Sequence, residues 1–332
     1  MNSFGNIFRV SIFGESHNKG CGIVVDGCPA GIPINEDDLL IELARRKSGA
    51  KGTTPREEED MPEIFTGTFN GFTTGAPITI IFRNANTRSR DYSRFLEIPR
   101  PGHSDFVAKN KYGGYTDYRG GGHFSGRITL GLVSAGAIAK KIIAPMNVKA
   151  TILEVGGSKN IDEAVDKALA EKDSIGGIIE CATTNMPIGL GDPFFDSAES
   201  NIAHIMFAVP AIKGIEFGAG FASAKMKGSE HNDWFVDTLG ATRSNNNGGI
   251  NGGITNGNNL VFRVVVKPTS STYAKQETMN FTTGKIEDFE VEGRHDTCIA
   301  LRIPVIIESA TAIALADMAL IDQQIPRVFN KK

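Results

Sequence analysis

The residues of this chain best suited to chemistry are cations, hydroxyls and histidines on glycine-rich turns. Residues 118–143 read YRGGGHFSGRITLGLVSAGAIAKKII, a glycine run carrying Arg119, His123, Ser125 and Arg127 that leads into a helix predicted from about Thr129. Glycines let a backbone approach a ligand closely and leave N–H groups to offer, and a helix start adds partial positive charge, so the ligand implied is an anion. Arg88, Arg90, Arg94, Arg100, Lys109 and Lys111 lie just upstream in a chain of net charge −3, so the basic segment is local. Two histidines sit on turns. His17 closes Gly14-Glu15-Ser16-His17 between two predicted strands, and His103 follows Arg100-Pro101-Gly102 and precedes Ser104-Asp105. As a pair they suit proton transfer. Lys267, Pro268, Thr269, Ser270 and Ser271 end a predicted strand and read either as a phosphate-compatible set or as a plain turn. Arg46, between Arg45 and Lys47, either complements a helix C-terminus or begins an anion clamp continued by SGAKGTTPR at 48–56. Gly293-Arg294-His295-Asp296 places a carboxylate beside a third histidine.

Cationic cradling with histidine proton transfer suits a lyase acting on a phosphate- or carboxylate-bearing small molecule. No GxSxG elbow, no GKS/T after the glycine run and no GxGxxG fingerprint occurs, which argues against nucleotide hydrolysis and Rossmann-type hydride transfer. A pI near 6.1 argues against nucleic-acid binding through a broad basic face. Cys21, Cys28, Cys181 and Cys298 form no metal-ligand spacing and no disulfide framework, so the cytoplasm is the expected compartment. The late apolar stretch is interrupted by Glu308 and Asp317, and neither secretion nor membrane insertion is expected.

The elements that must position these groups read as mixed α/β. Strands are predicted at 8–13, 21–25, 76–82, 176–183, 213–221 and 260–266. Helices are predicted from a capping Asn35 to Lys47, from Thr129, over 161–172, over 198–208 and over 304–324. His204, on an apolar helical face, reads as a core histidine. The tract SNNNGGINGGITNGNN at 244–259 has a linker's composition, but between structured halves it reads as a ligand-covering loop.

Taken together, GESH at 14–17, RPGHSD at 100–105, DYRGGG at 117–122, SGRIT at 125–129, AGAIAKK at 135–141, KPTSS at 267–271 and GRHD at 293–296 resemble the chorismate synthase family, in its order and spacing from the first strand to the last helix. The resemblance implies one domain over 1–332, a β-α-β sandwich with helices packed between antiparallel sheets, assembled as a homotetramer. It implies conversion of 5-enolpyruvylshikimate 3-phosphate to chorismate by 1,4-elimination of phosphate, dependent on reduced FMN, with NADPH or an external flavin reductase as the source of electrons. By motif position, His17 is similar to the histidine that protonates the departing phosphate, His103 to the one near the flavin pyrimidine edge, and Asp296 to the carboxylate that relays the flavin N5 proton. Arg46, Arg100 and Arg127 correspond to the substrate clamp. His123, Phe124, Ser125, Pro210, Ala211, Gly252, Lys267, Pro268, Thr269, Ser270, Ser271 and Arg294 correspond to the FMN site.

The chain departs from the family pattern at several of these positions. His123-Phe124 stand where an arginine is common, so one cation beside the flavin becomes a titratable group. Asn18 and Thr297 replace a usual glycine and proline. The loop after Arg46 is short, leaving Lys51 or Arg56 to complete the clamp. A flavin-dependent NAD(P)H oxidoreductase is the alternative that shares the flavin loop without phosphate-leaving chemistry.

Overall fold

Runs of valine, isoleucine and phenylalanine at alternate positions pair into two antiparallel sheets, and helices buried on nearly every side lie between them. The computed structural model describes residues 1–55, 59–85, 89–291, 293 and 295–329, with the backbone alone for 89–91. Arg56, Arg88 and Arg294 thus lie outside the described residues, as does the side chain of Arg90.

The first sheet takes strands β1 (Ser3–Phe4), β2 (Arg9–Gly14), β3 (Gly20–Asp26), β4 (Glu63–Thr66) and β7 (Ile78–Arg83), in the order β1-β2-β3-β7-β4. A small hairpin, β5 (Thr68–Phe69) and β6 (Phe72–Thr73), separates β4 from β7. The register sets Ile12 opposite Ile23 and Ile23 opposite Ile80. The second sheet joins β8 (Asn147–Val155), β9 (Gly177–Thr184), β10 (Ile212–Phe217) and β13 (Leu260–Val266), in the order β10-β13-β9-β8. Between β10 and β13 lies the hairpin β11 (Ile250–Asn251) and β12 (Ile254–Thr255), and a further hairpin, β14 (Gln276–Asn280) and β15 (Lys285–Phe289), follows.

Helix α1 (Glu36–Arg46) begins with a capping box in which Asn35 and Asp38 exchange side-chain-to-backbone hydrogen bonds. Helix α2 is Asp105–Lys111, α3 Thr129–Ile142, α4 Ile161–Glu171, α5 Ala198–Met206, α6 Gly228–His231 and α7 Pro304–Ile321. Helix α3 lies against the first sheet, α7 against the second, and the two cross closely, with α1 packed on α3 and α5 on α7. A side chain on Gly136 would stand 2.2 Å from Cβ of Ser309, so α3 reaches α7 only because that position is glycine. One contiguous apolar core runs through both sheets and this helix layer, while Phe95, Ile98, Phe289 and Val291 form a second small core under β14–β15.

The two acids of α7 are turned inward and used. Asp317 accepts backbone N–H bonds from Asn6, Ile7 and Phe8 at 2.7–2.8 Å, tying the N-terminal segment to the core helix. Glu308 accepts from both terminal nitrogens of Arg45 (2.6 and 2.7 Å), from Lys140 (2.8 Å) and from the Ala150 N–H (3.0 Å). Helix α7 is long and apolar enough to cross a membrane, yet 89% of it is buried inside the protein, as a core helix would be. All four cysteines are buried and free, and burial pushes the Cys28 and Cys181 thiols up to about 12.

Several expectations change. The strand predicted over 213–221 stops at Phe217, because Gly218 and Gly220 adopt positive φ and turn the chain into a short helical turn. His204 is not a core histidine. It is exposed, edge-on to Phe4 at 5.4 Å, since the buried face of α5 is carried by Ile202, Ile205 and Met206. The 244–259 tract is ordered as turns and the β11–β12 hairpin. The Asp233 carboxylate accepts from Ser244, from the Asn246 and Asn247 N–H groups and from the Asn247 amide, which supplies what an apolar core would otherwise supply.

Burial alone would raise the Glu308 carboxyl, but hydrogen bonds from Arg45 and Lys140 hold it below its ordinary 4.5. A carboxylate lowered in the fold stabilises it fully above the ordinary value and loses that contribution as pH falls through the lowered one. Glu308→Gln should therefore cost about 3 kcal/mol by urea unfolding at neutral pH, with the gap to wild type closing in acid. A gap unchanged into strong acid would show that the carboxylate charge is not what holds these helices.

Candidate active site

The glycine run, the C-terminal end of α1, the residues after α5 and the end of β13 enclose a cavity of about 970 Å³. Residues 1–4 form part of its wall, held there because Asp317 fixes the segment that follows. At the glycine run the backbone crosses directly over His17. A side chain on Gly120, whose φ is +59°, would stand 2.6 Å from His17 Nε2 and 2.9 Å from Ser16 Oγ. Ser125 then caps the turn at the Arg127 N–H (3.3 Å), and α3 starts at Thr129 as the sequence predicts.

Three guanidiniums gather on one wall. Asp60, buried and at φ +52°, accepts from Arg46 at 3.0 Å through one oxygen and from Arg127 at 2.5 Å through the other. Arg127 Nε also donates to the Asn84 side chain at 2.6 Å. Arg302 donates to the backbone carbonyl of Arg46 (3.0 Å) and pairs with Asp296 (3.2 Å), which also accepts the Thr54 N–H (2.9 Å). Among the described residues, two carboxylates, Asp60 and Asp296, meet these three cations. Burial lowers the Arg46 guanidinium to about 10, with Arg302 and Arg127 lowering it further and Asp60 opposing, so Arg46 is charged at neutral pH. Its Nε is buried with no hydrogen-bond partner and the side chain lines the cavity.

The cavity is also lined by Arg100, His103 and the 267–271 loop. Arg100 holds Asp105 through Nε (2.8 Å) and a terminal nitrogen (2.9 Å), donates to Ser271 Oγ at 3.0 Å and lies 4.4 Å over the Phe95 ring. Lys267 donates to Ser270 Oγ at 2.6 Å, and Thr269 Oγ1 is buried without a partner. Partial burial and the Lys213 charge lower the Lys267 ammonium. His123 donates through Nδ1 to the Gly14 carbonyl at 2.8 Å, and its Nε2 lies 3.2 Å from Asn2 Oδ1.

Arg46, Arg100, Arg127, His103 and Asp296 thus meet around one cavity with His123, Phe124 and Ser125, with Pro210 and Ala211, and with Lys267, Pro268, Thr269, Ser270 and Ser271. Ala211 holds a positive φ of 74°, unusual for a residue with a side chain and located on the cavity wall. Three of the sequence-predicted residues are not on that surface. His17 is buried behind Gly120 and edge-on to Tyr92 at 5.0 Å. Gly252 lies in the β11–β12 hairpin, whose Gly253 carbonyl accepts the N–H of Ala198 at the far end of α5 from the cavity. Lys51 pairs with Asp166 on α4 and does not complete a clamp. Arg294 and Arg56 lie outside the described residues. Asp60 and Arg302, which order the cationic wall, were not anticipated. The only signal available was bookkeeping, since clustered arginines drawn inside a protein require a buried acid.

A polar, net cationic cavity between two antiparallel sheets, with a neutral histidine and hydroxyl loop facing the arginines, defines an enzyme site for a small polyanion. The family model described as chorismate synthase matches residues 8–320. A protein of Chitinophaga pinensis named chorismate synthase is 62% identical over 331 residues, covering 99% of this chain and all of the relative. One of Dehalococcoides mccartyi with the same name is 46% identical, covering 99% and 100%. A solved structure described as "Crystal Structure of Chorismate Synthase" superposes with a TM-score of 0.73 at 25% identity, covering 96% of this chain and 93% of that one. The chain belongs to the chorismate synthase family.

Asp60→Asn removes the buried carboxylate that Arg46 and Arg127 share. The expected cost is about 3–5 kcal/mol in denaturant unfolding. A loss under about 1 kcal/mol, in the range of exposed pairs, would mean that Asp60 does not order this wall.

Proposed function

We propose that this chain converts 5-enolpyruvylshikimate 3-phosphate to chorismate and phosphate, the reaction that gives its family its name, with reduced FMN as cofactor. The observation that carries the reading is the convergence of Arg46, Arg100 and Arg127 with His103 and the hydroxyl loop on one cavity. A substrate with two carboxylates and a phosphate needs several fixed cations, and they act best where water is excluded and the donors are already aimed.

The residues present fit a flavin mononucleotide. The side chains of Arg46, Lys267, Thr269, Ser270 and Ser271 line one cavity of about 970 Å³, a donor set that suits the phosphate and ring acceptors of such a ligand. Lys267, Thr269, Ser270 and Ser271 would hold its phosphate side, with His123, Phe124, Ser125, Pro210 and Ala211 along its body; Arg294 is assigned by motif alone. Bound reduced FMN supplies an electron-rich partner for an elimination that has no net redox change.

The protein's own work is orientation and proton handling. Arg46 and Arg127 are held in place by Asp60, and Arg100 by Asp105, so the anionic groups of the substrate meet guanidiniums that need little reordering. His103 is neutral at physiological pH, because burial lowers it, and can take or return a proton. His17 is assigned by motif to protonate the departing phosphate, and Gly120 lies against it, where a side chain would stand 2.6 Å from its Nε2. Asp296 stays on the cavity wall through Arg302 and Thr54, in place to relay a proton.

The chain works as a homotetramer in this reading. Ile188, Phe194, Phe195, Phe235 and Leu239 are exposed on segments neighbouring the β11–β12 hairpin, an apolar surface that a second copy would cover. Gly252 belongs to that surface and would act on a neighbouring copy rather than on its own cavity. The reading also includes a cytoplasmic location and electrons drawn from NADPH or from a separate flavin reductase. A flavin-dependent NAD(P)H oxidoreductase has no observation in its favour.

In anaerobic, photoreduced FMN with no NADPH, the chain should release phosphate from 5-enolpyruvylshikimate 3-phosphate; no phosphate release there, with NADPH oxidised in a second assay that supplies it, would overturn the lyase. His17→Ala and His103→Ala should each lower kcat by about 10²–10⁴-fold while circular dichroism stays native. Near-full rates in both would remove the histidines from the mechanism.

A further inference from the structure

His103 Nδ1 has two short neighbours that cannot both be its partner. Asp105 Oδ1 is at 2.7 Å and an Arg100 terminal nitrogen at 3.0 Å, with Ser104 Oγ farther off at 3.4 Å. A guanidinium only donates and a carboxylate only accepts, so the ring proton decides between them. The Arg100 nitrogen already donates to Asp105 Oδ1 at 2.9 Å, and its other terminal nitrogen to Ser271. Without a proton on Nδ1, its lone pair would face the lone pairs of a carboxylate oxygen at 2.7 Å. Burial alone would raise the Asp105 carboxyl, but hydrogen bonds from Arg100 and His103 hold it far below the usual range, so it remains an acceptor.

We infer that Asp105 is a positioning residue of this site: it accepts the Nδ1 proton of His103 and leaves Nε2 as the basic nitrogen turned toward the glycine run. The geometry is stiff. Asp105 is held by three donors from Arg100, whose guanidinium lies over Phe95 of the second core, so the imidazole is set by the β14–β15 side of the molecule. His103 Nε2 lies 3.7 Å from where a side chain on Gly121 would begin, and no hydrogen bond among the described residues engages it. In a proton transfer, Nε2 takes the proton, the ring becomes a cation held by the Asp105 carboxylate, and the same nitrogen gives it back. The charged groups facing the ring are Asp105, which favours its cation, and Arg100 and Lys267, which oppose it along with burial.

The catalytic weight of this inference rests on the lyase reading, but its core is measurable without flavin or substrate. Nitrogen-15 histidine spectra of the full chain, with His103→Gln to assign the resonance, should show Nδ1 protonated and Nε2 of the bare type near neutral pH. Asp105→Asn should mix the tautomers and lower the titration midpoint, and lower kcat by about 10²-fold while KM changes less than about threefold. Asp105→Glu should recover part of the rate. An Nε2–H tautomer in wild type overturns the inference even if Asp105→Asn fails to fold. A Asp105→Asn chain with a switched tautomer and unchanged kcat removes the catalytic role, and a wild type with the expected tautomer but no phosphate release would fault the lyase reading instead.

Discussion

Keeping three arginines charged inside a protein is the constraint from which the site follows. A guanidinium out of water is costly unless carboxylates and carbonyls meet it with good geometry. Here Asp60 is shared by Arg46 and Arg127, and Asp296 takes Arg302, which in turn donates to the carbonyl of Arg46. Such an arrangement gains little over an apolar core in net stability. What it gains is placement: each arginine has its direction fixed before any ligand arrives. Asp60 shows the strain of this arrangement directly, holding a left-handed backbone in the interior to bring one carboxylate between two cations.

The helix layer makes that placement possible. Arg46 ends α1, Arg127 sits just before α3 and Arg302 just before α7, so the three cations come from the ends of three elements that pack on one another. The approach of α3 to α7 depends on Gly136 against Ser309, and the adjacent Glu308 ties α7 to Arg45 of α1 and Lys140 of α3. A shift of any one helix would move an arginine relative to the other two. The apolar burial of α3 and α7 therefore does more than stabilise; it sets the distances between charges on the cavity wall.

Much of the fold was legible in the sequence because its signals are local. The capping box at Asn35 spans four residues, the start of α3 follows directly from its glycine run, and β13 is a run of alternating buried positions. What could not be read depends on pairs far apart in the chain. Asp60 lies in an acidic stretch that looks like a solvated loop, and only the folded chain brings Arg127 to it. The 244–259 tract has the composition of a linker because much of its order comes from the distant Asp233, with Ile250 as its one residue in the main core. His204 misled for the opposite reason: helical periodicity places it near an apolar face, but which edge of α5 meets the core is decided by α7.

The two turn histidines look equivalent in the sequence, and the structure separates them. His103 lies on the cavity wall with Nδ1 against a carboxylate. His17 lies behind the glycine run and beside the Tyr92 ring. A proton donor to a departing phosphate benefits from being screened from water until the phosphate is in place, whereas a group that both takes and returns a proton needs an open nitrogen and a fixed tautomer. The same turn chemistry thus places one ring behind Gly120 and the other on the cavity wall. His123 takes neither position. It spans from the Gly14 carbonyl to Asn2, strapping the N-terminal segment to the glycine run.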